Sequence, residues 1–340
     1  MSERTEAGPE LQQWVRHGSH RIPEGVEEAR LDRYLAMRFP YRSRAQWARI
    51  IRDGRILVDG RGARPGQRLR AGNRIEYHPE PIPEPEVSAD IRLLHEDDWL
   101  MAVDKPADLP LHPSGKYFRN TLLSQLLLAR GETLDTPGLR VVHRLDRETS
   151  GVVVFGKTVS ATRFLAGQFE HRRASKSYLV LVHGAPPERF FVDARLGPKR
   201  DSRIRKAVGV VPAPEGVSAQ TEFVRLAVGA DLALLEARPR TGRMHQIRVH
   251  LQHAGYPVVG DKMYGLDETF FLKMAAGESL SPEDEARLLL PRQALHAWKL
   301  TLLHPRDRGP ITFTAPLPAD MIELCAARGI DWSDGNAGLR

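Results

Sequence analysis

His143-Arg144-Leu145-Asp146-Arg147-Glu148-Thr149-Ser150-Gly151 is a run of charged and hydroxyl side chains that passes without a break into Val152-Val153-Val154-Phe155. The four residues after the glycine read as a buried strand, because β-branched and aromatic side chains pack well on a pleated surface. Asp146 therefore sits at the mouth of a rigid element, where a reactive group is best held. Arg144 and Arg147 flank it. A neighbouring guanidinium favours an ionised carboxylate, and an ionised Asp can serve as a nucleophile. The same composition equally describes a surface turn with an ordinary ion pair, and the segment alone does not choose between them.

Around this strand, Leu100-Met101-Ala102-Val103, Gly151 to Gly156, Ser177 to Val182, Thr221 to Leu226 and Leu232 to Ala237 have the composition of strands. Thr121 to Arg130 and Met244 to Ala254 read as helices, the second stopped by Gly255. Strands do not alternate regularly with helices, so a doubly wound parallel sheet is not expected and the class is α+β. This domain is expected to span 91–318, followed by a C-terminal tail at 319–340. Residues 267–292 read as a helical, more acidic insertion with no assigned job.

The segment from Glu28 to His78 is different. It holds 13 arginines and no lysine against five acids (Glu28, Asp32, Asp53, Asp59, Glu76), an excess of eight, while the whole chain of 340 residues carries a formal net charge of +7. One short unit thus accounts for the basic excess, which points to a nucleic-acid partner rather than a mixed solvated surface. Leu31, Tyr34, Leu35 and Phe39 recur at helical spacing. Ser43 can cap a second helix with Trp47, Ile50 and Ile51 on its apolar face. Ile56-Leu57-Val58, the Asp59-Gly60 turn and Arg74-Ile75-Glu76-Tyr77 supply short strands. Residues 1–25 read as a flexible lead-in. Prolines at 79, 81, 83 and 85 make 79–90 a stiff linker.

Composition excludes several classes. No stretch reaches the roughly 20 apolar residues that span a bilayer. The N-terminal 25 residues lack the apolar core of a secretory signal, so a cytoplasmic location is expected, with no membrane partner. The single cysteine, Cys325, can form neither an internal disulfide nor a zinc cluster, and its apolar surroundings suit a buried structural thiol. His245, His250 and His253 invite a metal reading, but a zincin helix needs His-Glu-x-x-His and no Glu lies there. No metal is expected.

The Asp146 segment resembles the catalytic motif of the RluA-type RNA pseudouridine synthases, His-Arg-Leu-Asp followed by two variable residues and Thr-Ser-Gly. The resemblance implies that Asp146 is the nucleophile and that Arg144 fills the place of a uridine flipped out of the RNA. Lys176-Ser177-Tyr178 is similar to the family's Lys-x-Tyr strand. There Tyr178 would stack on the extruded uracil and take the proton from its carbon 5, with Lys176 beside the substrate; an aromatic ring suits an unstacked base. A core tyrosine is the plainer alternative. Arg240-Thr241-Gly242-Arg243-Met244-His245-Gln246-Ile247-Arg248, continuing to Gly260-Asp261-Lys262-Met263-Tyr264-Gly265, resembles the second long signature, with Met244 where the family usually has Thr or Ser. By this match Arg248 pairs with the catalytic carboxylate, and Arg243, a substrate-binding candidate, is the runner-up for that role or a phosphate contact. Leu295-His296-Ala297-Trp298 resembles the last strand, with Leu295 against the target base or simply in the core.

The arginine-rich unit is similar to S4 RNA-binding domains, and Arg42, Arg44, Arg49, Arg52 and Arg55 are its candidate phosphate contacts. Such contacts give salt-sensitive affinity rather than sequence choice. A second basic loop, 195–206, either touches RNA or is solvated. The resemblance covers about 28–318 and implies a small S4-like unit followed by a mixed, largely antiparallel catalytic sheet. The implied activity is isomerisation of uridine to pseudouridine in ribosomal RNA or tRNA, by a monomer without redox or metal cofactor. The Lys105 to Tyr117 loop hints at tRNA enzymes. A non-catalytic RNA-binding or ribosome-assembly protein is the rival; it would have no need of Asp146, Tyr178 and Arg248 together.

Overall fold

The computed structural model describes residues 18–26, 28–40, 42–78, 84–88, 90–114, 117–132 and 137–332. Two compact units emerge, one of Met1–Pro85 with Gly115–Arg119, the other of Glu86–Ser114 with Asn120–Arg340. Their division falls inside the proline-rich linker expected from sequence, of which 79–83 and 89 lie outside the described residues.

In the first unit, β1 (Gly18–Arg21), α1 (Leu31–Arg38), α2 (Arg44–Arg52), β2 (Ile56–Val58), β3 (Arg61–Gly62) and β4 (Arg74–Tyr77) form two helices and a sheet ordered β1-β4-β2-β3. Leu31, Tyr34, Leu35, Trp47 and Ile51 are buried together, as their spacing predicts. Ser43 caps α2 in a reciprocal box with Gln46. Asp59 and Gly60 both take positive φ, 51° and 74°, the requirement of a two-residue hairpin turn. The expected lead-in needs correction: Gly18–Arg21 pairs with β4, and Ile22 is 1% exposed in the unit's core. Residues 1–17 of that lead-in lie outside the described residues.

The second unit contains β5 (Arg92–Glu96), β6 (Leu100–Lys105), α3 (Leu122–Ala129), β7 (Arg140–Val141), β8 (Ser150–Gly156), α4 (Val159–Glu170), β9 (Ser175–His183), β10 (Arg189–Pro198), β11 (Val208–Val210), β12 (Val217–Val228) and β13 (Leu232–Pro239). Then follow α5 (Gln246–His253), α6 (Thr269–Ala276), α7 (Pro282–Leu288), β14 (Leu295–Leu303), β15 (Pro310–Thr314) and α8 (Ala319–Ala327). The sheet runs β11-β10-β12-β13-β9-β14-β8-β6-β5, with β15 on β14 and β7 on β8. Among the described pairings only β14 with β8 is parallel.

Both sheet faces are covered, which explains the unbroken apolar run of β8. Along β9, Leu179 and Leu181 face a core shared with Met321 and Cys325 of α8, while Val180 and Val182 face Ile247 and Leu251 of α5. This corrects the expected C-terminal tail: 319–332 carry a helix and Ile330, 3% exposed, that complete one layer of the core, because Met321 and Cys325 share one helix face four residues apart. The rest of that tail, 333–340, lies outside the described residues. The insertion 267–292 is helical as expected, with Ser202 and Arg203 of the basic loop hydrogen-bonded to Glu268 at its start.

Candidate active site

Asp146 lies on the short turn between β7 and β8. Leu145 is buried in the core cluster of Val103, Leu111 and Ala297, which anchors the turn from below. Thr149 N–H closes it onto the Asp146 carbonyl at 3.2 Å. Lys105, fully buried at the end of β6, donates to the carbonyls of Pro106, Leu109 and Arg147 at 2.8–2.9 Å and so pins the apex. Gly151 has φ 109°, and a Cβ there would strike the Ala297 carbonyl of β14. Only glycine lets the two parallel strands approach at the point where β8 leaves the turn.

The carboxylate is 21% exposed and opens into a cleft of about 510 Å³. Arg248 Nη1 donates to Asp146 Oδ2 at 2.9 Å. The same guanidinium grips Asp261 through Nε at 2.6 Å and Nη2 at 2.8 Å. Asp261 has no exposed side-chain surface, and its Oδ1 also accepts the N–H groups of Met263 and Tyr264. Burial alone would raise the Asp146 carboxyl, but the charge of Arg248, that of His245 whenever its ring is protonated, and hydrogen bonds from Arg248 and Gln293 hold it below its ordinary value. The result is an ionised, oriented carboxylate. The turn is also tied outward, since Glu148 pairs with Lys262 at 2.9 Å and accepts the Gln293 N–H. Gln293 further donates to Thr149 Oγ1 at 2.7 Å.

Tyr178 lines the cleft beside Leu295, which is 4% exposed. Burial and the Asp146 charge both push the phenol of Tyr178 up, so the hydroxyl stays protonated at neutral pH. Lys176 lines the same cleft and donates to the Thr241 carbonyl at 3.2 Å; burial and the nearby Arg172 lower it to about 8. Arg144 and Arg243 stand exposed on the rim, the latter donating to the Ser218 carbonyl at 3.2 Å. The structure thus gathers Asp146, Tyr178, Arg248, Arg144, Lys176, Arg243 and Leu295 around one cleft. It adds His245, Arg172 and Arg240, and behind them Asp261, Gln293 and Lys105.

The candidate RNA-contacting arginines belong to the other unit. Arg49 and Arg52 project from α2 into solvent. Arg42 lies 5.7 Å over the Trp47 ring. Arg55 is half-buried. Arg44 donates Nε to the buried carboxylate of Asp32 at 2.9 Å, which Arg30 also pairs with, so its first task is structural. In the 195–206 loop, Arg195 donates to the carbonyls of Pro214, Glu215 and Gly216, and Arg200 pairs with Glu215. The three histidines do not converge: His250 bonds Thr221 and His245 bonds Tyr264. Among the described residues no cluster of three or more His, Cys, Asp or Glu could hold a metal ion.

Residues 99–253 match the family model described as RNA pseudouridylate synthase, and residues 29–75 match the S4 domain. An uncharacterized RNA pseudouridine synthase of Chloroflexus aurantiacus is 42% identical over 308 residues, 88% of this chain and 90% of that protein. The chain belongs to the RNA pseudouridine synthase family. The synthase is also 34% identical over 306 residues to the ribosomal large subunit pseudouridine synthase D of Pseudomonas aeruginosa, covering 89% of this chain and 93% of that one. The solved structure of human RNA pseudouridylate synthase domain containing 4 shares the fold, with a TM-score of 0.55 at 24% identity over 72% of this chain and 95% of that one. The synthase is therefore an isomerase acting on uridines in RNA, and the non-catalytic rival gives way.

Proposed function

We propose that this synthase converts a uridine of large-subunit ribosomal RNA to pseudouridine with Asp146 as nucleophile. The observation that carries the reading is one ionised carboxylate, held through a single oxygen by Arg248 at 2.9 Å, facing the same cleft as the ring of Tyr178. Ribosomal RNA is favoured over tRNA by the names of several relatives.

RNA is gathered by the arginines of the S4 unit, Arg49 and Arg52 foremost, through phosphate contacts. One uridine leaves its stack, at a cost of a few kcal/mol that is smallest in a loop. Arg144 occupies the vacated place, while the uracil enters the cleft between Tyr178 and Leu295. Arg243 and Lys176 supply positive charge to the flanking phosphates. Asp146 attacks the nucleoside and the C1′–N1 bond breaks. The uracil turns, a C1′–C5 bond forms as the bond to Asp146 breaks, and the C5 proton leaves by way of the Tyr178 hydroxyl, which passes its own proton to water while N1 takes one up. Substrate and product are isomers, so no oxidant, reductant or metal enters the balance. The reading takes the synthase to act as a monomer in the cytoplasm.

The test is complementation of a strain lacking the gene, followed by mapping of pseudouridines across its ribosomal RNA. The wild-type gene should restore at least one site in large-subunit RNA. Asp146→Ala should restore none, yet bind that RNA within about twofold of wild type, since the carboxylate contributes chemistry rather than phosphate contacts. Pseudouridine formed by Asp146→Ala would remove Asp146 from its role.

A further inference from the structure

One imidazole in the cleft has no task in the scheme above. His245 precedes α5 in a left-handed backbone conformation, φ 56°, which is unfavourable for a residue bearing a Cβ and persists only where its surroundings demand it. The ring is held by Tyr264. That hydroxyl accepts the Val208 N–H at 2.9 Å and lies 2.8 Å from His245 Nδ1. With one lone pair of that oxygen taken by Val208, we assign the phenolic proton to Nδ1, which places the neutral ring's own proton on Nε2. Burial lowers His245 further from protonation. Nε2 stands 3.9 Å from Asp146 Oδ1, the oxygen that Arg248 leaves open, and this is too long for a hydrogen bond. Among the described residues Nε2 makes no hydrogen bond. A donor and an acceptor at this separation leave room for one bridging hydroxyl oxygen, about 2.8 Å from each.

The stereochemistry of a ribonucleotide says which hydroxyl. The base stands on one face of the sugar and the 2′-hydroxyl on the other. A carboxylate that attacks C1′ opposite the departing base arrives on the side of the 2′-oxygen. We propose that His245 reads the ribose 2′-hydroxyl of the target nucleotide, Nε2–H donating to O2′ while the 2′-hydroxyl donates to Asp146 Oδ1. The contact sets Oδ1 beneath C1′ and makes the site selective for a ribonucleotide over a 2′-deoxyuridine, which lacks that hydroxyl. This inference rests on Asp146 acting as the nucleophile, at the sugar carbon.

The experiment pairs a deletion in the protein with a deletion in the substrate. Two forms of a large-subunit rRNA fragment are made, one with [5-³H]uridine and one with [5-³H]2′-deoxyuridine at the mapped target, and tritium release is followed in single turnover. His245→Ala should lower kcat/KM about tenfold on the ribose form, the worth of one hydrogen bond, and less than twofold on the deoxy form. His245→Asn, which tolerates the left-handed backbone and retains an amide donor, should recover part of the loss on the ribose form only. If wild type does not turn over the deoxy form, its inhibition constant against the ribose form replaces kcat/KM in the comparison. Equal losses on both forms, in His245→Ala and His245→Asn alike, would overturn the proposal and leave a histidine that merely shapes the cleft or holds a water. Failure of the nucleophile assignment looks different: Asp146→Ala would then retain tritium release on the ribose form.

Discussion

Arg248 serves two carboxylates with one guanidinium, and this sharing makes opposite predictions for two substitutions. In Arg248→Lys the positive charge remains, but an ammonium cannot reproduce the fork that grips Asp261 at 2.6 and 2.8 Å while reaching Asp146 at 2.9 Å. Asp261, the more deeply buried, should keep the cation and Asp146 should lose it. Breaking part of a buried, hydrogen-bonded pair costs about 3 kcal/mol of stability. For activity the sign follows from the Asp146 carboxyl, which the wild-type charges hold below its ordinary value. The ionised form persists at low pH in wild type. With its partner withdrawn the value climbs, so activity should be lost at higher pH than in wild type as the solution is acidified. Asp261→Asn should cost similar stability, because it removes a charge that Arg248 and two backbone N–H groups were placed to meet. It also gives Arg248 wholly to Asp146, so its acid limb should not rise. The assay is tritium release from [5-³H]uridine RNA across pH 4–8, normalised to folded protein by circular dichroism. An unmoved acid limb in Arg248→Lys, or a rise of equal size in both variants, would refute the shared-cation account.

Arg172 follows α4 with φ 58° and lines the cleft. Arg172→Gly should relieve its backbone, gaining about 1 kcal/mol in thermal unfolding, yet weaken RNA binding several-fold and flatten the salt dependence by about one charge; unchanged affinity would make Arg172 a plain helix terminus. Lys176 is lowered to about 8 by burial, so its charge is present below that pH and lost above it. Raising the pH from 7 to 9 should weaken RNA binding more in wild type than in Lys176→Gln, and parallel curves would dismiss Lys176 as a contact. Met321→Ala should cost about 2–5 kcal/mol in denaturant unfolding through the cavity it leaves against β9 and β13; a loss under 0.5 kcal/mol would mean that α8 is not part of the core.

The parts of the fold legible in the sequence were those fixed by local rules. Ser43 caps α2, Asp59-Gly60 makes the hairpin turn, and the β-branched and aromatic run Val152 to Phe155 is a buried strand. What local rules missed depends on distant neighbours. Ala319–Ala327 is largely apolar, but nothing local says what covers it: Met321 and Cys325 meet Leu179, Leu181, Leu232 and Leu234, on strands far earlier in the chain. Helix α5 shows the reverse. Its sequence, Gln246 to His253, is largely polar, but the helix is buried nearly all round. Arg248 and His250 can be there only because Asp261 and Thr221 receive them. The start expected at Met244 slips to Gln246 because His245 adopts the left-handed conformation, which periodicity does not foresee.

The site divides along the same line. Asp146, Tyr178 and Arg248 were visible as residues of suitable chemistry, but their convergence is a property of the sheet. Tyr178 on β9 pairs with Ala297 of β14, and Ala297 with Gly151 of β8, so three adjacent strands set the tyrosine two positions from the strand that begins four residues after Asp146. The residues to which sequence reasoning gave no role are those whose work is done on other residues. Asp261 orients Arg248, Glu148 locks onto Lys262, and Tyr264 sets the proton on His245. Asp261, Lys262 and Tyr264 fall within one short loop, so the segment after α5 serves as the buttress of the nucleophile and its arginine. Such a buttress has no chemical signature of its own: an Asp that accepts from an arginine and two amides has the same composition as any turn aspartate. Its function is carried by burial, and burial is what a one-dimensional pattern of charged residues conceals.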